Sequence, residues 1–199
     1  MSRLITNAIR STSATADAIT MDGSGNVTFP ANATCSGTAT GFGKILQVVS
    51  AEKTDKFSST DTNQFITVSG LTVNITPSSS SNKIFICFNM NIGHSVTTHR
   101  IGGKIFRSSD SQNIFRSATD GNRTRAYVGS FTCHSNATNT MRFVSPCYLD
   151  TPSTTNQVSY TFQLYNTTGT IYVNRSGENS NESPNPDGAS FAYAMEIAA

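Results

Sequence analysis

Apolar and polar residues alternate with a period of two along most of the chain. In QVSYTFQLY (Gln157–Tyr165), Val158, Tyr160, Phe162 and Leu164 make one face, and Ser159, Thr161 and Gln163 make the other. This is the pattern of a half-buried strand. ASFAYAMEI (Ala189–Ile197) repeats it, with Phe191, Tyr193 and Met195 set between small residues. In KIFICFNMNIG (Lys83–Gly93), Ile84, Ile86, Phe88 and Met90 share a face while Phe85 and Cys87 take the other, which predicts a strand buried on both sides near its start. Further strands are predicted over Lys44–Ser50, over Asn63–Pro77 with a dividing turn at Ser69-Gly70, and over Arg100–Ser108, Arg125–Cys133, Met141–Leu149 and Thr170–Ser176. No segment sustains a helical period. About ten strands separated by turns predict an all-β protein, an antiparallel β-sandwich of jelly-roll-like build.

The pattern weakens before Lys44. AITMDGSGNVTFP (Ala18–Pro30) has two short alternating arms around the turn string DGSGN, a hairpin signal. Arms of about four residues are marginal alone in water. The surrounding sequence is rich in Ser, Thr, Ala and Gly, and CSGTATGFG (Cys35–Gly43) reads as a linker. Two parts are therefore expected: residues 1–43 as an assembly segment and linker, and residues 44–199 as the sandwich. The hairpin's apolar residues Ile19, Met21, Val27 and Phe29 are candidates for burial in an assembly.

Composition sharpens this picture. Only 13% of the 199 residues are charged and 36% are hydrophobic. Ser, Thr and Asn take the place of Lys and Glu, which removes helix formers and leaves strand and turn formers. A net charge of +2 is too small to predict a nucleic-acid partner. No apolar run is long enough for a membrane span, and the N-terminus has no signal-peptide core. Synthesis in a cytosol is expected. In that setting Cys87 reads as a buried free thiol, and a Cys133–Cys147 disulfide is disfavoured.

Catalytic chemistry finds no foothold. His94 and His99 flank one loop at a spacing that could serve a metal, but no third ligand is near in sequence. Cys133 and His134 are adjacent, so on a strand they point to opposite faces and cannot pair as nucleophile and base. There is no GxSxG, Walker or HExxH motif. Many Asp residues sit at turns, their commonest structural place. No enzyme activity, cofactor or metal is expected. The N-x-[ST] sequons, among them Asn26, Asn74 and Asn174, follow from composition.

One asymmetry of charge stands out. Between Arg100 and Arg125 lie Arg100, Lys104, Arg107, Arg116, Arg123 and Arg125 against only Asp110 and Asp120. These are candidate contacts to an anionic receptor or to another subunit, with solvated loops as the bland alternative.

Taken in order, KILQVVSAEKTDKFSST, GLTVNITPSSSSNKI, GNRTRAYVGSF, YLDTPSTTNQVSYTFQL, YVNRSG and the terminal MEIAA form a recurrent series. It resembles a domain of tail-fibre-like appendage proteins in aquatic tailed phages, cyanophages in particular, over roughly residues 44–199. The leading SRLITNAIRSTSATADAITMDGSGNVTF is similar to the short leader before such domains. The resemblance implies a homotrimeric β-sandwich mounted on a virion, without catalytic residues. The expectation is a short fibre held to other virion proteins through residues 1–43, assembled in host cytoplasm. It would bind a host cell-surface polysaccharide through loops Gly93–His99, Ser108–Asn122, His134–Thr140 and Ser176–Gly188. A capsid decoration or cement protein is the alternative. A polysaccharide-degrading tailspike is a more distant one, because no run of β-helix coils is visible.

Overall fold

The computed structural model describes residues 8–10, 13, 15, 19–24, 26–28, 44–114, 116–133, 139–178 and 187–199, and among these every regular element is a strand. None of the described residues belongs to a helix long and apolar enough to cross a membrane. The chain divides into two units, Met1–Phe42 and Gly43–Ala199.

The first unit carries β1 (Ala8–Ile9), β2 (Ile19–Met21) and β3 (Val27–Thr28), in the order β1-β2-β3. The hairpin signal at DGSGN is met by the antiparallel pairing of β2 and β3. Asp22 organises the turn. Its Oδ1 accepts from the N–H groups of Ser24 and Asn26, each at 2.9 Å, and its Oδ2 accepts from Asn26 Nδ2 at 2.7 Å. A side chain that captures its own downstream backbone in this way is the reason Asp favours such turns. Phe29 and the linker reading at Cys35–Gly43 lie outside the described residues.

The second unit holds β4 (Ile45–Lys53), β5 (Phe57–Ser59), β6 (Phe65–Ile75), β7 (Lys83–His94), β8 (Ile101–Arg107), β9 (Gln112–Ile114), β10 (Val128–Phe131), β11 (Arg142–Val144), β12 (Cys147–Asp150), β13 (Val158–Asn166), β14 (Ile171–Val173) and β15 (Ser190–Ile197). It is an all-β, jelly-roll-like sandwich of two antiparallel sheets. In the first, β4, β15 and β7 lie side by side, with β12 on the far edge of β7. The register shows this, since Cys87 pairs with both Tyr193 and Cys147. β11 and β14 pair with the second half of β7, and β5 pairs with β14. The second sheet runs β10-β8-β13-β6, with β9 against β8. Between the sheets Ile84, Ile86, Phe88, Met90 and Ile92 of β7 meet Tyr160, Phe162 and Leu164 of β13 in one buried cluster. The rings of Phe88 and Phe162 lie 5.8 Å apart. Each such side chain contributes about 1.5–3 kcal/mol on leaving water.

Three expectations change. Ser69-Gly70 is not a turn between two strands but a bulge within β6. Thr67 pairs with Gln163 and Thr72 with Thr161, so extra residues sit on the β6 side. Gly70 supplies the left-handed φ of 80°. The bulge shifts the phase, so that Ile66 and Val68 before it and Leu71, Val73 and Ile75 after it all face the core. The Met141–Leu149 strand is broken into β11 and β12 at Ser145-Pro146, since proline cannot donate to the ladder.

The third correction concerns the thiols. Cys87 is not free: it is bonded to Cys147, and among the described residues the free cysteine is Cys133, which is buried. β12 sets Cys147 directly opposite Cys87 with the Cα atoms 4.2 Å apart. The flanking bond from Phe88 N–H to Pro146 O, at 3.0 Å, marks them as a non-hydrogen-bonded pair, the register position where side chains come closest. Sequence spacing of 60 residues carried no hint of this.

Candidate functional site

The outer surface of the second sheet carries the candidate site. At the start of β8, the segment from Ser117 to Tyr127 folds back over the strand. Ser117 N–H donates to Ala126 O at 3.1 Å, Arg125 Nε to Ser117 O at 2.6 Å, and Tyr127 N–H to Gly103 O at 2.8 Å. On the other side Thr167 ties down the chain at Arg100, accepting from its N–H at 3.0 Å. Between them opens a groove of about 800 Å³. Arg100, Arg123, Asp120, Tyr127 and Tyr165 line it, with Gly102 at its floor and Gly129 in its wall. Gly129 faces open space.

The six basic residues separate into two groups. Arg107 is engaged by the fold: its guanidinium donates to Asp110 Oδ1 at 2.9 Å and to Asp150 Oδ2 at 2.7 Å. Tyr160 Oη donates to the same Asp150 oxygen at 2.8 Å, so this network ties β8 and β13 to β12 across the sandwich. Burial disfavours the Arg107 charge, but the two carboxylates outweigh it and keep it protonated. Arg125 is held by its bond to Ser117. Arg123 makes an exposed pair with Asp120 at 3.3 Å.

Arg100, Lys104 and Arg116 have no carboxylate partner among the described residues. Lys104 Nζ instead sits 3.9 Å from the centre of the Phe65 ring, and Phe65 leans on Tyr165 at 5.3 Å. Partial burial, and then the neighbouring charge of Arg116, push the Lys104 amine below its usual range. Two cations that repel each other beside aromatic rings form a surface receptive to an anion.

Sequence reasoning missed Phe65, Tyr127 and Tyr165. A signal for Tyr165 was present: an aromatic residue continues the otherwise polar face of Ser159, Thr161 and Gln163. Phe65 and Tyr127 gave none, since their neighbours come from distant strands.

The hairpin residues lie in the first unit. Register sets Ile9 beside Ile19 and Met21 beside Val27, all on one face of the three-stranded sheet. Ile19 and Met21 are half-buried and Val27 is exposed.

The paired histidines are arranged for structure. The His94 and His99 rings stack with centroids 3.9 Å apart and both are buried. His94 Nδ1 accepts from Val96 N–H at 3.2 Å, and its Nε2 faces Asn166 Oδ1 at 3.0 Å. His99 Nε2 accepts from Cys133 N–H at 2.9 Å and Nδ1 faces Val96 O at 2.7 Å. The ring nitrogens are thus occupied, and no group of three metal-ligating side chains occurs among the described residues. Burial pushes the Cys133 thiol up to about 12, which leaves almost no thiolate at neutral pH. His134, with most of the His134–Thr140 and Ser176–Gly188 loops, lies outside the described residues.

No protein-family model and no curated protein matches the chain. Among solved structures it is similar to T=1 particles derived from infectious bursal virus, at 13% identity and a TM-score of 0.42, over 76% of this chain and 37% of that one. It is also similar to the VP2 subviral particle of infectious bursal disease virus (12% identity, TM-score 0.41, 76% and 39% covered). A third is the Gx strain of that virus (12% identity, TM-score 0.40, 83% and 44% covered). The chain spans less than half the length of these structures.

Proposed function

We propose that the chain is a non-enzymatic structural protein of a virus particle, a short fibre of the tail type. Residues 1–43 seat it on the virion and gather three copies, and the sandwich is presented to an acidic polysaccharide on the host surface. The ordered sequence blocks over residues 44–199 support the virion part. The observation that carries host contact is the groove: Arg100 and Arg123 stand with Tyr127 and Tyr165 in an open cleft, and Lys104 and Arg116 extend the positive surface along the same sheet. Guanidinium forks grip carboxylate or sulfate, and ring faces carry the apolar faces of sugars.

Binding of the full chain to a uronate-rich polysaccharide and to neutral dextran of equal size tests the reading. The acidic polymer is expected to bind, with affinity falling as salt rises. Arg100→Ala with Arg123→Ala, or Gly129→Trp to fill the groove, should each weaken it by about tenfold or more. Equal binding to both polymers, or indifference to these changes, removes the host-contact reading. A particle map with the chain on the capsid lattice would favour the decoration role instead.

A further inference from the structure

The outer face of the first sheet exposes large apolar side chains. The register places Val48, Met195, Phe85 and Leu149 in one row across β4, β15, β7 and β12. The next row holds Ser50, Tyr193 and the Cys87–Cys147 disulfide, and the row after it Glu52, Phe191 and Asn89. Val48 is 56% exposed, Phe191 45% and Leu149 42%. A sheet that faces water on one side normally shows polar residues there. The second sheet does so with Asn74, Ser159 and Gln163. On the first sheet the polar residues of that face are Ser50 and Glu52 on the edge strand β4, the buried Asn89 and the terminal Lys83, and the exposed large apolar side chains beside them are Val48, Leu149 and Phe191. Four strands at about 4.8 Å and seven residues at about 3.3 Å make a face of roughly 19 by 23 Å. That is about 440 Å², the scale of the largest apolar patch on a typical monomer, which is often a contact surface.

We propose that this face packs against the same face of a second copy of the chain. The charges at its corners select that occupant. Lys83 lies at the end of β7 beside Ile197, and Glu52 lies diagonally opposite on β4 beside Phe191. Neither has an ion pair among the described residues. Turned end for end, a second copy sets each Lys83 over the other's Glu52, while the apolar rows meet between them. A two-fold axis then makes each contact twice. The arrangement also covers the half-buried Cys147 on β12, at one side of the face.

The inference stands on the sheet alone and does not depend on the groove. Sedimentation of the full chain over a dilution series tests it. The expected mass is that of a dimer, or of a hexamer where three N-terminal units also associate. Leu149→Glu and Phe191→Glu should each reduce it to monomer or trimer, with affinity weakened about tenfold or more. Val96→Glu, on a loop outside the face, should leave it unchanged. Glu52→Lys or Lys83→Glu alone should weaken association, and the two together should restore it. This charge swap leaves the apolar packing untouched, so it still reads the interface if a glutamate variant unfolds. A trimer indifferent to all these changes overturns this inference and leaves the fibre reading standing. A wild-type monomer at every concentration overturns both. A monomer with β4 protected from hydrogen exchange assigns the face to another segment of the same chain, and also overturns it.

Discussion

Glu196 is fully buried although it sits near the end of the last strand. Its Oε1 accepts from Ser78 N–H at 2.6 Å, Ser78 Oγ at 2.8 Å and Asn82 Nδ2 at 2.6 Å, and its Oε2 accepts from Gln47 Nε2 at 2.6 Å. One carboxylate thereby organises the Ser-rich loop between β6 and β7 and fastens it to β4. Burial opposes ionisation, but the hydrogen bonds from Gln47, Asn82 and Ser78 outweigh it and hold the group at about 2. The folded value lies below the unfolded ~4.3. Its stabilisation is therefore complete above that unfolded value and is lost as pH falls from there through about 2. Thermal unfolding of wild type should show Tm falling across this window. Glu196→Gln should flatten that part of the profile and cost about 1–3 kcal/mol at neutral pH, because an amide N–H₂ would face donors. An unchanged pH profile would count against this role. In the sequence, Glu196 was one polar residue in MEIAA, with nothing to separate it from a solvent-facing position.

The strands themselves were largely legible, because a period of two survives in any single strand that covers a core. β13, β15 and β7 are where the alternation placed them. The breaks were harder to read. Ser69-Gly70 carries the chemistry of a turn and of a bulge alike, and only the partner strand β13, continuous opposite it, decides between the two. β5 and β9, three residues each, are too short for a period and exist because β14 and β8 offer them an edge. The disulfide belongs to this scale as well, since it staples β12 to β7 and closes a loop of 60 residues. By chain entropy such a link contributes about 4 kcal/mol. Cys147→Ser should lower stability by about 2–4 kcal/mol in denaturant unfolding. Peptide mapping without reductant should recover Cys87 joined to Cys147 and leave Cys133 unlinked. A Cys133–Cys147 peptide would contradict the register of β12 on β7.

At the scale of the whole molecule, two units of unequal means stand in one chain. The sandwich has a core of its own. The first unit offers a three-stranded sheet whose apolar face, Ile9, Ile19, Met21 and Val27, is half-exposed or more. Strands of two or three residues give this sheet little apolar area to bury by itself. Deletion of residues 1–43 is expected to leave the sandwich folded, with its unfolding transition retained, and to abolish incorporation into particles. Full occupancy of virions by the truncated chain would remove the attachment role from this unit.

By itself, the sequence determined the all-β class, the main strands, the hairpin at DGSGN and the basic stretch from Arg100 to Arg125. These are local patterns, set by side-chain alternation, turn chemistry and composition, and they need no knowledge of what lies opposite. Tertiary structure alone decided which cations are engaged by the fold, because Asp150 reaches Arg107 only when β12 crosses β8. It also decided which cysteines meet, which aromatic rings join the groove and which sheet face exposes large apolar side chains. Each of these depends on pairing between strands distant in sequence, and alternation within one strand carries no information about its neighbour.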